Sequence, residues 1–140
     1  MINVKEIYIK AKEKGVCELF KGTETEDELI NLFLTIKGIE FCTKNNFPSL
    51  DILRQLHGEK LEKHGIYIDS NVALHNEPMI VLAGNTIADL TYDNGSKGHR
   101  VILMHGAKAK ITACGWAVVF VTNAGGEVKT DESEKAKIFL

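Results

Sequence analysis

His99, His105 and Cys114, with Asp93 and Arg100 close by in the chain, form the densest group of side chains that could do chemistry. A His/Cys/Asp set can bind a transition metal, or pair a base with a thiolate nucleophile, if every side chain reaches one side of the fold. The spacings match no known ligand or nucleophile motif, and Cys114 beside Ala113 suits a small core position. His57 and His64 are seven apart, which on one continuous helix would stack them two turns apart. Gly58 interrupts that helix, and the His-Glu-x-x-His pattern of zinc proteases is absent, so both read as exposed histidines near a helix end. Gly95-Ser96-Lys97-Gly98 and Gly125-Gly126 lack the spacing of a phosphate loop and read as corners. Trp116, the single tryptophan, directly precedes the apolar run Ala117 to Val121. It serves either as an anchor for a partner surface or as a core residue. No catalytic residue, metal site or cofactor is assigned. His99, Arg100, His105, Cys114 and Trp116 remain as candidate binding residues.

The elements that must position these residues fall into two kinds. Val4, Ile7, Tyr8 and Ala11 recur at helical spacing, and Gly15 offers a stop. Thr25-Glu26-Asp27-Glu28 has the capping-box form and opens a helix expected to run to about Lys37, burying Leu29, Leu32, Phe33 and Ile36. Gly38 interrupts, and Ile39 to Lys44 forms a further helical segment that ends at Asn45-Asn46. Pro48 blocks continuation, and Ser49 caps a helix that turns Ile52, Leu53 and Leu56 inward. His57-Gly58 ends it, leaving Glu59 to His64 as a charged connector.

From Ile66 the pattern changes to short β runs: Ile66-Ile68, Met79-Leu82, Ile87-Tyr92, Arg100-His105, Lys108-Thr112, Ala117-Thr122, Glu127-Thr130 and Ala136-Leu140. Asp69-Ser70-Asn71 and His75-Asn76-Glu77-Pro78 read as turns. The later runs recur roughly every 8 to 13 residues, the spacing of stacked β coils. Tyr92, Ile111 and Lys129 form one face, and Ile102, Phe120 and Ile138 another, in a register of about 18 residues. Alanines at 107, 109, 113, 117, 124 and 136 suit tightly stacked corners. The fold expected is α+β: a helical cap over residues 1–65 followed by a short β-solenoid over 66–140. An antiparallel β-sandwich is the alternative.

The segments Gly38 to Arg54 and Gly65 to Asp69, with the ladder after them, resemble small proteins encoded in bacterial genomes and prophages. Phe47-Pro48-Ser49-Leu50 and its flanks are the distinctive part. The resemblance implies the same layout of helical cap and β module. It brings no activity and no functional residues.

Composition narrows the function classes. Hydrophobic residues make up 44% and charged residues 26%, ordinary for a folded globular chain. The net charge is −2 and evenly spread, so no basic half exists to neutralise phosphates, which argues against a dedicated nucleic-acid binder. Neither Met79-Ala83 nor Trp116-Val121 is long enough to span a bilayer, and the start carries no apolar leader, so a cytoplasmic location is expected. Cys17, Cys42 and Cys114 fit neither a disulfide framework nor paired zinc ligands and read as reduced.

The last run, Lys137 to Leu140, is apolar and leaves a strand edge open. Ile138, Phe139 and Leu140 are therefore expected at an oligomer interface, joining a dimer through the ends of the β modules or a trimer along their sides. The function expected is a non-enzymatic structural or protein-interaction module, with a phage-associated setting. The alternative is a small-molecule binding or sequestering protein with its site at an oligomer interface.

Overall fold

In a computed structural model, residues 3–15, 19–56 and 58–140 are described. The chain divides into two compact units, Met1–His64 and Gly65–Leu140.

The first unit is helical, and its boundaries follow capping chemistry. Asn3 caps α1 (Val4–Glu13) by accepting from the Glu6 amide at 2.9 Å. The capping box forms as expected: Thr25 accepts from the Glu28 amide at 3.2 Å, and the Glu28 carboxylate accepts from the Thr25 amide at 3.1 Å. The helix it opens, α2 (Glu26–Phe33), is shorter than the sequence suggested. Thr35 caps a new helix, α3 (Ile36–Asn45), by accepting from the Gly38 amide at 3.1 Å. Ile36 consequently points to solvent at 82% exposure, and Ile30 takes the buried place expected for it. Gly38 does not interrupt. It lies within α3, where a Cβ would run into the carbonyls of Leu32 and Phe33, so only glycine permits this turn to pack.

Asn46 ends α3 in the left-handed conformation, and Ser49 caps α4 (Leu50–Gln55), which with Leu56 buries Ile52 and Leu53. Residues 59–64 are not a connector. They lie largely in α5 (Gly58–Lys63), held by buried Leu61 and by two links to α2, Lys60 to Glu26 at 3.5 Å and His64 to Asp27 at 3.2 Å. A chain of edge-on ring contacts, Tyr8 to Phe20 to Phe33 to Phe47, runs through the unit at centroid spacings of 5.4, 5.5 and 6.0 Å.

The second unit is a parallel β-solenoid. Its strands are β1 (Ile66–Ile68), β2 (Asn71–His75), β3 (Met79–Ala83), β4 (Ile87–Tyr92), β5 (Gly98–Met104), β6 (Lys108–Ala113), β7 (Val118–Ala124), β8 (Glu127–Glu132) and β9 (Lys137–Phe139). Odd strands form one sheet and even strands the other, every ladder parallel, which rules out the antiparallel sandwich. Strand β2 falls partly where a turn was read, because its alternation is carried only by Val72 and Leu74 between polar neighbours.

The coil departs from the expected register of about 18 residues in both directions, shorter in the first turn and longer in those after it. Ile66 pairs with Val81, fifteen on, but Met79 pairs with Arg100, twenty-one on, and Val118 with Lys137, nineteen on. The five-residue corner 93–97 replaces the three-residue corner 76–78 and lengthens the coil. As a result Tyr92 lies beside Ala113 rather than Ile111, and in the last coil, nineteen residues long, Phe120 lies beside Phe139 rather than Ile138.

The core lies between the sheets. Ile80, Leu82, Val101, Leu103, Val119 and Val121 from the odd strands meet Leu90, Tyr92, Ile111 and small alanines from the even ones. Each large aliphatic side chain removed from water contributes about 1.5–3 kcal/mol, so this interleaved stack is the main stabilising term of the unit. Ala107, Ala113, Ala117 and Ala136 sit almost fully buried at or near the corners, where larger side chains would separate the coils. The corner after each odd strand begins with a left-handed residue: Asp69 (φ 52°), Gly84 (69°), His105 (54°) and Gly125 (97°). Buried Thr86 ties two of these corners, donating to the Ala83 carbonyl at 2.7 Å and accepting from the Ser70 amide at 3.3 Å.

Candidate interaction surface

Strand alternation decides where the candidate residues go. On β5, His99, Val101 and Leu103 point into the core, so Arg100 points out. The His99 ring is buried, with Nδ1 3.2 Å from the Glu77 carbonyl oxygen and Nε2 3.2 Å from that of Asn94. It packs against the Tyr92 ring at a centroid distance of 4.6 Å. It thereby pins corner 93–97 against corner 76–78. The Tyr92 hydroxyl beside it is buried without a hydrogen-bond partner among the described residues. Burial, with the Glu77 charge adding to it, pushes the phenol well above its ordinary range.

The remaining candidates do not join His99. His105 occupies the left-handed corner after β5, at the opposite end of that strand. Cys114 is a partly exposed free thiol in corner 114–117, its amide donating to the Tyr92 carbonyl at 3.0 Å. No group of three or more metal-ligating side chains occurs among the described residues. His57 lies outside the described residues.

A polar cluster not anticipated from the sequence forms where corner 76–78 meets Asp93. Asp93 accepts from Asn76 Nδ2 at 2.6 Å and lies 2.9 Å from His75 Nε2, while Asn76 Oδ1 accepts from the Asp93 amide at 2.9 Å. The Asn76 and His75 bonds hold the Asp93 carboxyl below its usual range. These side chains are exposed, and each partner satisfies the next. The spacing from His75 to Asp93, eighteen residues, was its only trace in the sequence.

The outward face of the odd-strand sheet carries the surface with chemistry left unsatisfied. Met79, Arg100, Phe120 and Phe139 are consecutive ladder partners on β3, β5, β7 and β9 and therefore form one row. Phe120 and Phe139 stack at 5.3 Å with an interplanar angle of 15°, yet stay 44% and 52% exposed. Trp116, 70% exposed, stands at the adjoining corner against Gly95, where a Cβ would collide with it. Arg100 and Lys137 are exposed and enter no ion pair among the described residues. Farther along the same face Ile102 and Met104 are buried, so the open part is the end of the sheet nearest corners 93–97 and 114–117. Phe120 was legible only as part of an apolar run. Its exposure follows from Val119 and Val121 taking the inward positions.

The C-terminal edge is partly closed. In β9 the Lys137 amide donates to Ala117, and the outward amide of Ile138 donates to the Glu132 carboxylate at 2.8 Å. Leu140 is 77% exposed. Fold and surface together define a helical unit followed by a two-sheet parallel β-solenoid with an exposed aromatic and cationic row. No family model, curated protein or solved structure matches this chain. No helix among the described residues is long and apolar enough to cross a membrane.

Proposed function

We propose that the chain is a non-enzymatic interaction module that works as a homo-oligomer, its β-solenoid pairing with a second copy through the outward row of the odd-strand sheet. The observation that carries this reading is the exposed row Arg100, Phe120 and Phe139 with Trp116 beside it. Tryptophan and arginine are the side chains most enriched among residues that dominate binding energy, and phenylalanine is enriched at interfaces. A hydrogen-bonded ladder holds them at fixed spacing, so little ordering entropy is lost on association. Glu132, by occupying the outward amide of β9, favours contact along the side of the solenoid over pairing at its edge.

The free thiols of Cys42 and Cys114 fit a reducing, cytoplasmic compartment. The resemblance of Phe47-Pro48-Ser49-Leu50 and its flanks to prophage proteins supports a phage-associated setting. The test is the solution mass by light scattering. The wild type is expected at a multiple of 15.5 kDa and Phe120→Ser at the monomer mass with unchanged circular dichroism. A monomeric wild type at high concentration refutes the proposal.

A further inference from the structure

We infer that the free edge of β8 pairs with the β8 edge of a second copy in antiparallel register, about a two-fold axis that passes beside Thr130 normal to the even-strand sheet. The inference goes beyond the side contact proposed above and uses a different surface. β8 is the last strand of its sheet, so one of its edges has no strand beside it. The Glu127 and Ser133 amides donate to the Ala107 and Ala113 carbonyls of the coil before, at 2.9 and 3.0 Å. Main-chain groups alternate sides along a strand, so Glu127, Lys129 and Asp131 face β6, and the amides and carbonyls of Val128, Thr130 and Glu132 face away from it. These outward groups have no hydrogen-bond partner among the described residues. Glu132 closes the neighbouring edge by taking the Ile138 amide of β9, and it leaves the edge of β8 open.

Charge then selects the register. An antiparallel pair forms only where outward residues meet outward residues. Centred on Lys129, the pairing sets that lysine against itself, and centred on Asp131 it sets two carboxylates together, and like charges directly opposite are destabilising. Centred on Thr130, it pairs Thr130 with the second copy's Thr130 and Val128 with its Glu132, and it sets Lys129 opposite its Asp131, twice by symmetry. This register alone engages Val128, Thr130 and Glu132 of both copies, and alone sets a base against an acid. Lys129 and Asp131 are exposed and enter no ion pair among the described residues, so both charges are free for it. Charged side chains ordinarily protect an edge strand from pairing, and here they exclude the shifted registers. The shape of the end agrees. β9 pairs with β7 over Val118 to Phe120 only, although β7 runs on to Ala124, so the solenoid ends in a step. Corner 125–126 joins β7 to β8 in two residues, which sets the middle of one strand across from the middle of the other. The axis beside Thr130 therefore carries the second copy's β9 onto the open half of β7 and not onto β9. Val128 and Ile138, partly buried against the core at this end, are covered as the copies meet.

A strand pair gains a modest net energy per main-chain bond and must offset the cost of association, so this contact is weaker than the side contact. A dilute chain without the side contact stays a monomer, and disulfide trapping reads the end contact instead. The test uses the full chain with Cys114→Ser, whose own cross-linked fraction is the blank. Across a non-hydrogen-bonded antiparallel pair the Cα atoms lie about 4.5 Å apart, within reach of a disulfide. Lys129→Cys mixed with Asp131→Cys should cross-link at least about fivefold faster than either variant alone, because the register opposes these positions to each other and neither to itself. Equal rates, or faster cross-linking of either variant with itself, overturn the register. Adding Thr130→Pro removes an amide that faces solvent in the lone chain, so the fold is retained by circular dichroism while trapping should fall to the blank. Unchanged trapping overturns the contact. Adding Phe120→Ser should leave the cross-link in place, because it acts on the other sheet. Loss of the cross-link with it overturns the end contact and leaves the side contact standing. A wild-type mass that Phe120→Ser does not change refutes the side contact without touching this one, so the two readings fail separately.

Discussion

Replacing Tyr92 with phenylalanine should stabilise the protein. Tyr92 is 1% exposed at the end of β4, and its hydroxyl is a buried polar atom without a partner among the described residues. A buried polar group left unpaired costs about 1–3 kcal/mol, and phenylalanine keeps the ring contact with His99 while removing that cost. Allowing for the small void left by the oxygen, the net gain is about 1 kcal/mol. With an unfolding entropy of about 2.1 cal/mol/K per residue, this raises Tm by about 6 °C if the solenoid unit unfolds alone and about 3 °C if the whole chain unfolds together.

The pH dependence sharpens the test. Burial raises the folded-state pKa of Tyr92 above its ordinary value of 10.0, so its contribution is intact below pH 10. As pH rises beyond that value the unfolded chain releases the phenolic proton first, and the folded state loses stability at up to about 1.4 kcal/mol per pH unit. Urea titrations of both proteins at pH 8 and pH 11 read the effect directly. The advantage of Tyr92→Phe should grow by about 1 kcal/mol between them. A variant less stable than wild type would show that the hydroxyl has a partner, and a constant difference across this range that the phenol is not held above its ordinary pKa; either result refutes the reasoning.

Two further outcomes follow from individual groups. Burial pushes the Cys42 thiol up to about 12, so at pH 8 it should alkylate far more slowly than partly exposed Cys114, read by peptide mass spectrometry. Its stabilising contribution should be lost only as pH rises above the ordinary thiol value of 9.0 toward about 12, and equal labelling of the two thiols in the native state would contradict this placement. Glu132→Ala should speed hydrogen exchange of the Ile138 amide at least about tenfold, whereas Glu132→Gln keeps an acceptor and should stay near wild type. Unchanged exchange in Glu132→Ala would remove the edge-closing role assigned to that carboxylate.

Local chemistry made most of the architecture legible. Thr25, Ser49 and the alternation in Ile87-Tyr92 act within a few residues, through a cap bond or a two-residue period, and each starts an element where it was expected, although the one at Thr25 ends early. The extra helix start at Thr35 was not visible, because a lone threonine inside a helical pattern becomes a cap only when packing requires a turn there. Gly38 read as a break for the same reason, since the Leu32 and Phe33 carbonyls that demand a glycine approach it only in the folded unit.

The β runs other than β2, most corners between them and the choice of solenoid over sandwich were thus within reach of the sequence alone. Tertiary structure decided the rest. Register depends on how many residues each coil consumes, and within the coil that joins β4 to β6 corner 93–97 takes two more than corner 76–78 does in the coil before it. The coil turns His99 inward at the start of β5 and leaves His105 and Cys114 at the corners after β5 and β6, although their nearness in sequence had suggested a site. It also sets Arg100, Phe120 and Phe139 side by side, although about twenty residues separate each from the next. Neighbours across a parallel ladder are set by coil length, which is a property of the whole turn and is written in no single segment.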